Sequence, residues 1–411
     1  MGGRAFYEVA DKLLARKTGT QLALSFHCCA EPVRQPPAWA TSPPLATFET
    51  FFKICLDIFS EALSGQQGAE VYRWLMNDTP VSLRRAFHRS LPEAVYRRPQ
   101  FFRTDEGADG RVVEIQCPGS GWGDLQLLKD LYIASGRAED RLEAYRPAEA
   151  FVREVIALTG SDHPSVLHLL DNASAPASIR YHMATTAPPL RYWGYSADVD
   201  NARCDLVRSH SVFGLVAENR FKQRLRQAAA GEAIFDLPPI ILFDQKAPLA
   251  LPFWEMTRDR FPEAVRELLA YTYPLALDGF RTPEGDWLSL EDLVNLPASK
   301  RRYFVKYAGS DVSVNWGSQS VWRTADNGFA KKLDDIRAEM KSGRPWIIQA
   351  DVGSRTLAST LLREADEPTS ETRFVKYSRF YGPTQSLGAK AMFAATPKVH
   401  GQSITTVGLV L

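Results

Sequence analysis

The chain has 411 residues, 45% of them hydrophobic and 24% charged, which is enough apolar material for two or three packed domains. Lysine and arginine number 49 against 48 aspartates and glutamates, so no global field draws the chain to nucleic acid or to an anionic membrane surface. No apolar run approaches the length of a membrane span, and the opening MGGRAFYEVADKLLARKTG lacks the continuous apolar core of a secretory signal, so a cytoplasmic protein is expected.

Residues 29–46, CAEPVRQPPAWATSPPLA, are rich in proline and lack periodicity, which predicts an extended loop. In TFETFFKICLDIFSEALSG apolar residues recur at three- and four-residue spacing through Phe51, Ile54, Cys55, Ile58, Phe59 and Leu63, and a glycine follows. That pattern predicts an amphipathic helix. SLRRAFHRSLPEAVY reads as another helix. Residues 101–105 and 111–116 flank EGADG, whose Asp109-Gly110 pair signals a hairpin because glycine accepts positive φ without steric cost. Asp124 is placed to cap a helix over Leu125, Leu128 and Leu131.

Further along, RPAEAFVREVIALTG reads as a helix and PSVLHLL as a buried strand, with CDLVRS and PPIILFDQ as further short strands. This alternation, from about residue 145 to 255, predicts a small α/β unit with a mostly parallel sheet. DRFPEAVRELLAYTYPLAL is expected to be helical. From Lys300 the order becomes strand, glycine-containing turn and strand, then a helix in AKKLDDIRAEMKSG, a strand in PWIIQADV and a strand-rich C-terminal part.

The cysteines Cys28, Cys29, Cys55, Cys117 and Cys204 contain no C-x-x-C pair and no zinc spacing, so reduced thiols are expected. His27 beside Cys28 suggests a thiol nucleophile, but a lone adjacent His and Cys is far more often incidental.

Side chains alternate across a strand, so Arg103 shares a face with Asp105, and Glu114 with Gln116. With residues 108–111 as the loop, Asp105 and Glu114 sit opposite each other. Two carboxylates so close repel unless a positive group lies between them, which suggests Mg²⁺ held by carboxylate and amide oxygens. The alternative is a solvent-facing hairpin with ordinary charges. In YFVKYAGSDVSVNWGS, Lys306 ends an apolar strand and Gly309, Ser310, Ser313 and Gly317 follow, a turn able to fold over phosphates or simply to reverse the chain. WIIQADVG ends an apolar strand at Gln349. It reads either as a core strand or as a hinge whose main chain hydrogen-bonds an adenine while Ile347 and Ile348 pack on its faces.

Lysine with a Gly/Ser hairpin, then a helix, then an apolar strand ending in glutamine resembles the nucleotide-binding half of the ATP-grasp superfamily. Here the acidic hairpin precedes that half, as in the circularly permuted ATP-grasp group that includes the synthetase part of glutathionylspermidine synthase. Arg103, Asp105 and Glu114 match that group's R-x-D and Glu-x-Asn pattern, while Gln116 stands where asparagine is usual.

The resemblance implies an α+β, circularly permuted ATP-grasp fold with a small Rossmann-like pre-ATP-grasp domain. It divides the chain into an N-terminal extension with helices over residues 1–90, possessing no named counterpart, and a metal-binding part over 91–140. The Rossmann-like domain then covers 141–260, the lysine and lid subdomain 261–350, and the remainder of the catalytic subdomain 351–411. It also implies ATP and Mg²⁺ as cofactors, small carboxylic acid and amine substrates, and no nucleic-acid or membrane partner.

The implied reaction is ATP-dependent amide formation through an acylphosphate, releasing ADP and phosphate. Asp105, Glu114 and Gln116 would hold the metal, and Lys306, Lys246, Gly309, Ser310 and Gln349 the nucleotide. Arg103 would contact the transferred phosphoryl group and His400 assist proton removal from the amine. Arg373, Lys376 and Arg379 are candidates for a substrate carboxylate or ordinary solvated charges, and Trp316 is a candidate lid residue. The alternatives are a catalytically inactive nucleotide-binding protein of the same fold and a phosphotransferase that stops at phosphorylation.

Overall fold

The structure, a computed structural model, describes residues 2–22, 24, 26–34, 44–76, 79, 98–116, 121–137, 139–169, 177–193, 204–209, 226–227, 230–237, 240–243, 245–309, 311, 314, 320–352, 356–362, 367–399 and 405–411. Residues 35–43 of the proline-rich 29–46 segment and all of the expected helix SLRRAFHRSLPEAVY lie outside these residues.

The chain opens with helix α1 (Gly3–Thr18), strand β1 (His27–Cys29), α2 (Leu45–Leu63) and α3 (Ala69–Met76). The hairpin strands β2 (Phe102–Glu106) and β3 (Val112–Gln116) lead into α4 (Asp124–Ala134), α5 (Asp140–Ala144) and α6 (Pro147–Thr159). Strand β4 (Ser165–Leu169), α7 (Ala177–Thr186), β5 (Arg191–Trp193), β6 (Leu206–Ser209) and β7 (Ile234–Phe235) form the alternating unit.

After α8 (Glu263–Leu268) come β8 (Thr272–Pro274), β9 (Gly279–Arg281), β10 (Trp287–Ser289) and α9 (Leu290–Asn295). Next are β11 (Tyr303–Tyr307), β12 (Val321–Arg323), α10 (Phe329–Lys341) and β13 (Trp346–Ala350). The chain ends in β14 (Thr356–Leu362), β15 (Thr369–Tyr381), β16 (Ser386–Ala394) and β17 (Thr406–Val410).

Among the described residues four sheets organise these elements, the smallest being the antiparallel pair β10-β9. A 7-stranded sheet runs in the order β14-β1-β17-β16-β15-β2-β3, so strands from the two ends of the chain and from its middle interleave. Its β1 comes from the segment expected to be a separate N-terminal extension. A 4-stranded antiparallel sheet has the order β12-β11-β13-β8. The alternating unit forms a 4-stranded sheet, β5-β4-β6-β7, in which every pairing is parallel.

Packing follows the apolar stripes. Leu125 and Leu128 of α4 cluster with Phe380, Met392 and Leu409 on one face of the large sheet, and α1 joins the same cluster through Phe6, Leu13 and Leu14. Phe48 and Phe52 of α2 cluster with Phe102 and Tyr381, which side chains alternating along their strands send to the opposite face.

Two expected elements differ. PPIILFDQ forms a short 3-10 turn at Ile241–Phe243 instead of a strand, because its prolines remove ladder donors. DRFPEAVRELLAYTYPLAL is helical only over Glu263–Leu268; its end becomes β8, an edge strand beside β13, where Pro274 is tolerated. Among the described residues no helix is long and apolar enough to cross a membrane.

Candidate functional site

The β2–β3 hairpin closes over residues 107–111, where Gly107 N–H donates to Arg111 O at 2.9 Å and Arg111 N–H to Asp109 Oδ1 at 3.0 Å. Gly110 turns at a φ of 85°, which disfavours a side chain. The ladder slips between Asp105 and Glu106, so Glu106 lies opposite Val112 while Asp105 lies opposite Glu114 and Arg103 opposite Gln116. The bulge at Val113 absorbs the difference from the loop of 108–111 expected from sequence and leaves both acids on one face.

Strand β15 lies along the other side of β2 with Ser378 opposite Asp105. Asp105 is fully buried and accepts hydrogen bonds from Lys376 Nζ at 2.7 Å and Ser378 Oγ at 2.6 Å, with Arg103 Nε 3.4 Å away. Burial pushes its carboxyl up, but Lys376 and Arg103 outweigh that and hold it well below the usual carboxylate range. Glu114 is treated alike: burial raises it, Lys246 at 3.3 Å lowers it, and the net direction is down. Arg103 also donates to the Gln116 amide oxygen.

Lys306 arrives from the antiparallel sheet. Its Nζ donates to Gln349 Oε1 at 2.5 Å and to Val113 O at 3.3 Å, and Gln349 Nε2 donates to Thr272 Oγ1 at 2.9 Å. Ala270 N–H donates to Val112 O at 2.9 Å, a second tie between that sheet's entry and the hairpin. Burial pulls the Lys306 ammonium down to about 8, against the opposing pull of Glu114. The acidic hairpin and the lysine strand, some two hundred residues apart in sequence, therefore meet directly.

Between them lies a cavity lined by the polar Glu114, Lys306, Gln349, Asp351, Lys376 and Lys398 and by the apolar Phe304, Val321, Val352, Val375 and Val399. Ile347 and Ile348, expected to flank a base, are fully buried in the core, because β13 sits between two neighbouring strands. The main-chain donors of Ala350 and Asp351 are already bonded to Tyr271 O and Arg302 O, each at 2.8 Å. An aromatic base here would lie against Phe304 and the valines instead.

The structure thus gathers Arg103, Asp105, Glu114, Gln116, Lys246, Lys306 and Gln349. Gly309 is buried next to Ala308, whose carbonyl accepts from Lys246 N–H at 2.9 Å. Ser310, Ser313, Trp316, Gly317 and His400 lie outside the described residues.

Of the three spaced cations, Lys376 alone lines the cavity. Arg373 pairs with Glu371 at 2.7 Å and Arg379 with Glu106 at 3.4 Å, because a three-residue step on a strand changes face. Asp124 makes no capping bond; it pairs with Lys390 of β16, a contact sequence reasoning missed. The alternation Lys376-x-Ser378 was the readable signal for Ser378, which sequence reasoning missed. Cys28 and Cys29 are fully buried, and burial pushes the Cys29 thiol up to about 12, which removes the thiol-nucleophile reading.

Two carboxylates and one amide oxygen on paired strands make a hard-oxygen donor set of the kind Mg²⁺ takes. Among the described residues no group of 3 or more His, Cys, Asp or Glu gathers, so a metal here would take its remaining ligands from phosphate and water. The donors fit, provided that Lys376, Lys246 and Arg103 exchange those oxygens for a ligand's.

No protein-family profile matches the sequence, and none of the curated proteins matches it. Among solved structures, a glutathione synthetase-like effector from Globodera pallida in its apo form superposes with a TM-score of 0.54 at 13% identity, covering 100% of this chain and 97% of that one. At that identity the likeness is one of fold alone: the chain has a mixed α+β architecture that resembles that protein's.

Proposed function

We propose that the chain is a cytoplasmic, ATP-dependent carboxylate–amine ligase of the circularly permuted ATP-grasp type, joining a small acid to an amine through an acylphosphate. The observation that carries this reading is the contact of Lys306 with the Val113 carbonyl, beside a cavity that Glu114 of the acidic hairpin and Lys306 both line. The order of hairpin first and lysine strand later along the chain supports the permuted arrangement.

In this reading the nucleotide base lies against Phe304, Val321 and Val375, and its phosphates run toward Lys306, Lys246 and Lys376. Asp105, Glu114 and the Gln116 amide would hold Mg²⁺, which would supply positive charge to the phosphates. Phosphates entering draw the lysines away from the carboxylates. Arg103, beside Asp105, offers a planar fork to the phosphoryl group as it reaches the acid. The buried setting keeps water from the acylphosphate until the amine displaces phosphate.

The test is calorimetric binding of Mg·ATP together with ADP release. Wild-type protein is expected to bind Mg·ATP and to release ADP only when an acid and an amine are both present. Glu114→Ala should keep the fold and lose Mg²⁺-dependent binding; retained binding would remove the metal assignment. Binding without ADP release for any substrate pair would favour the inactive nucleotide-binding protein, and ADP release needing no amine would favour a phosphotransferase.

A further inference from the structure

Past the acidic hairpin, the same face of the large sheet carries a second charged group. Ser378 of β15 lies opposite Asp105 on one side and opposite Lys390 of β16 on the other, so Asp105, Ser378 and Lys390 form one row across three strands. Strand spacing places Lys390 about 10 Å beyond Asp105. Its ammonium is buried and bonded to Asp124 Oδ2, with the Phe380 ring 5.8 Å away.

That pair is incompletely satisfied. Asp124 is 4% exposed, yet its Oδ1 has no hydrogen-bond partner, and neither does Nε1 of Trp122, which is 5% exposed. One is a free acceptor and the other a free donor, two residues apart. Between them and the charges runs Gly121, at a φ of 83°; a Cβ there would stand 2.8 Å from Asp124 Oδ2, 2.9 Å from Lys390 Nζ and 3.5 Å from Arg103 Nη1. Any side chain there would press on these groups, so only glycine lets the chain pass this close to them. An ion pair that only anchored α4 to the sheet would have no reason to leave an acceptor and a donor unmet.

We infer that Lys390, Asp124 and Gly121 form the subsite for the acid substrate, and that this acid carries an O–H or N–H donor on the carbon beside its carboxylate. The inference rests on the ligase reading and deepens it. Lys390 and Arg103 receive the carboxylate, the Trp122 indole donates to it, and Asp124 Oδ1 takes the neighbouring donor. Arg103 is shared between this subsite and the acidic hairpin, which sets the carboxylate at the edge of the phosphate region. Lys390 and Asp124 are therefore binding and positioning residues.

Ligand-observed saturation-transfer NMR on the full chain, with glycolate, glycine and acetate as probes, tests this. Glycolate and glycine should bind about tenfold more tightly than acetate, because acetate leaves Asp124 Oδ1 unmet. The double variant Lys390→Met/Asp124→Leu removes both ends of the buried pair, which such sites tolerate, and should lose all three probes while its melting temperature shows it folded. Equal binding of acetate and glycolate by wild-type protein, or undiminished binding by the folded double variant, overturns the inference. The wild-type comparison decides the matter even if the variant does not fold. Mg·ATP binding measured separately keeps the two readings apart: nucleotide binding without a preference for donor-bearing acids sinks the subsite alone, and donor-selective acid binding without nucleotide binding sinks the ligase alone.

Discussion

Lys306 brings a buried positive charge to the cavity at an energetic cost, and that cost makes its charge sensitive to pH. Its ammonium titrates near 8 in the folded chain instead of the usual 10.5. Between those values the unfolded chain holds a proton that the folded chain lacks, so this group's contribution to stability rises with pH across that window. Ligand binding has the opposite dependence, since phosphate needs the protonated form. Mg·ATP affinity measured by calorimetry should therefore fall as pH rises through about 8. Lys306→Arg, whose guanidinium stays charged, should bind with little change between about pH 7 and pH 9. A wild-type affinity that stays flat over the same range would show that Lys306 does not meet the phosphates.

Elements differ in how much of their position the sequence determines. The register of β2 and β3 was legible because it depends on one glycine turn and on side-chain alternation within sixteen residues. Helix α2 was legible from its apolar spacing, and Phe48, Phe51, Phe52 and Phe59 are all buried. Strand β8 was not, since its three residues closely follow the apolar spacing of α8 and are too short to be told from it without their partner β13. Helix α1 carries an equally readable stripe in Phe6, Ala10, Leu13 and Leu14, all buried. Helix α2 also supports the hairpin from behind, with the Phe52 ring 5.1 Å from Phe102 of β2 and 5.2 Å from Phe243. Phe52→Ala should cost about 3–5 kcal/mol of stability in urea unfolding. Because Phe52 lies on the face of the sheet away from Asp105, Mg·ATP affinity of the folded fraction should change little. A loss of affinity larger than the loss of stability would mean that the helix shapes the site directly.

At the scale of the whole molecule, the parts of the site that escaped the sequence are those made by long-range pairing. Lys376 and Asp105 are 271 residues apart, and Lys390 and Asp124 are 266, so only the order of strands in the large sheet brings them together. A buried cation joins the shared apolar cluster in tying the parallel unit to that sheet. Arg208 of β6 bonds Asp236 at 2.7 Å, and its guanidinium lies 5.4, 5.1 and 4.8 Å from the rings of Phe101, Trp122 and Phe151. Asp236 Oδ1 accepts from Phe101 N–H at 3.2 Å, at the start of the hairpin strand. Burial pushes the Asp236 carboxyl up and Arg208 pulls it back. Arg208→Met removes that restraint and leaves a buried, unpaired carboxylate, which should cost about 3–5 kcal/mol. In the variant the folded state would bind a proton that the unfolded state releases, so stability should fall as pH rises and the melting temperature should climb as pH is lowered from 7 toward about 5. Arg208→Met/Asp236→Asn keeps the acceptor for Phe101 without the charge and should recover most of the loss, with no such pH dependence in scanning calorimetry. If the single variant melts at the wild-type temperature, the parallel unit is held by its apolar contacts, and the cation between the sheets is incidental to the fold.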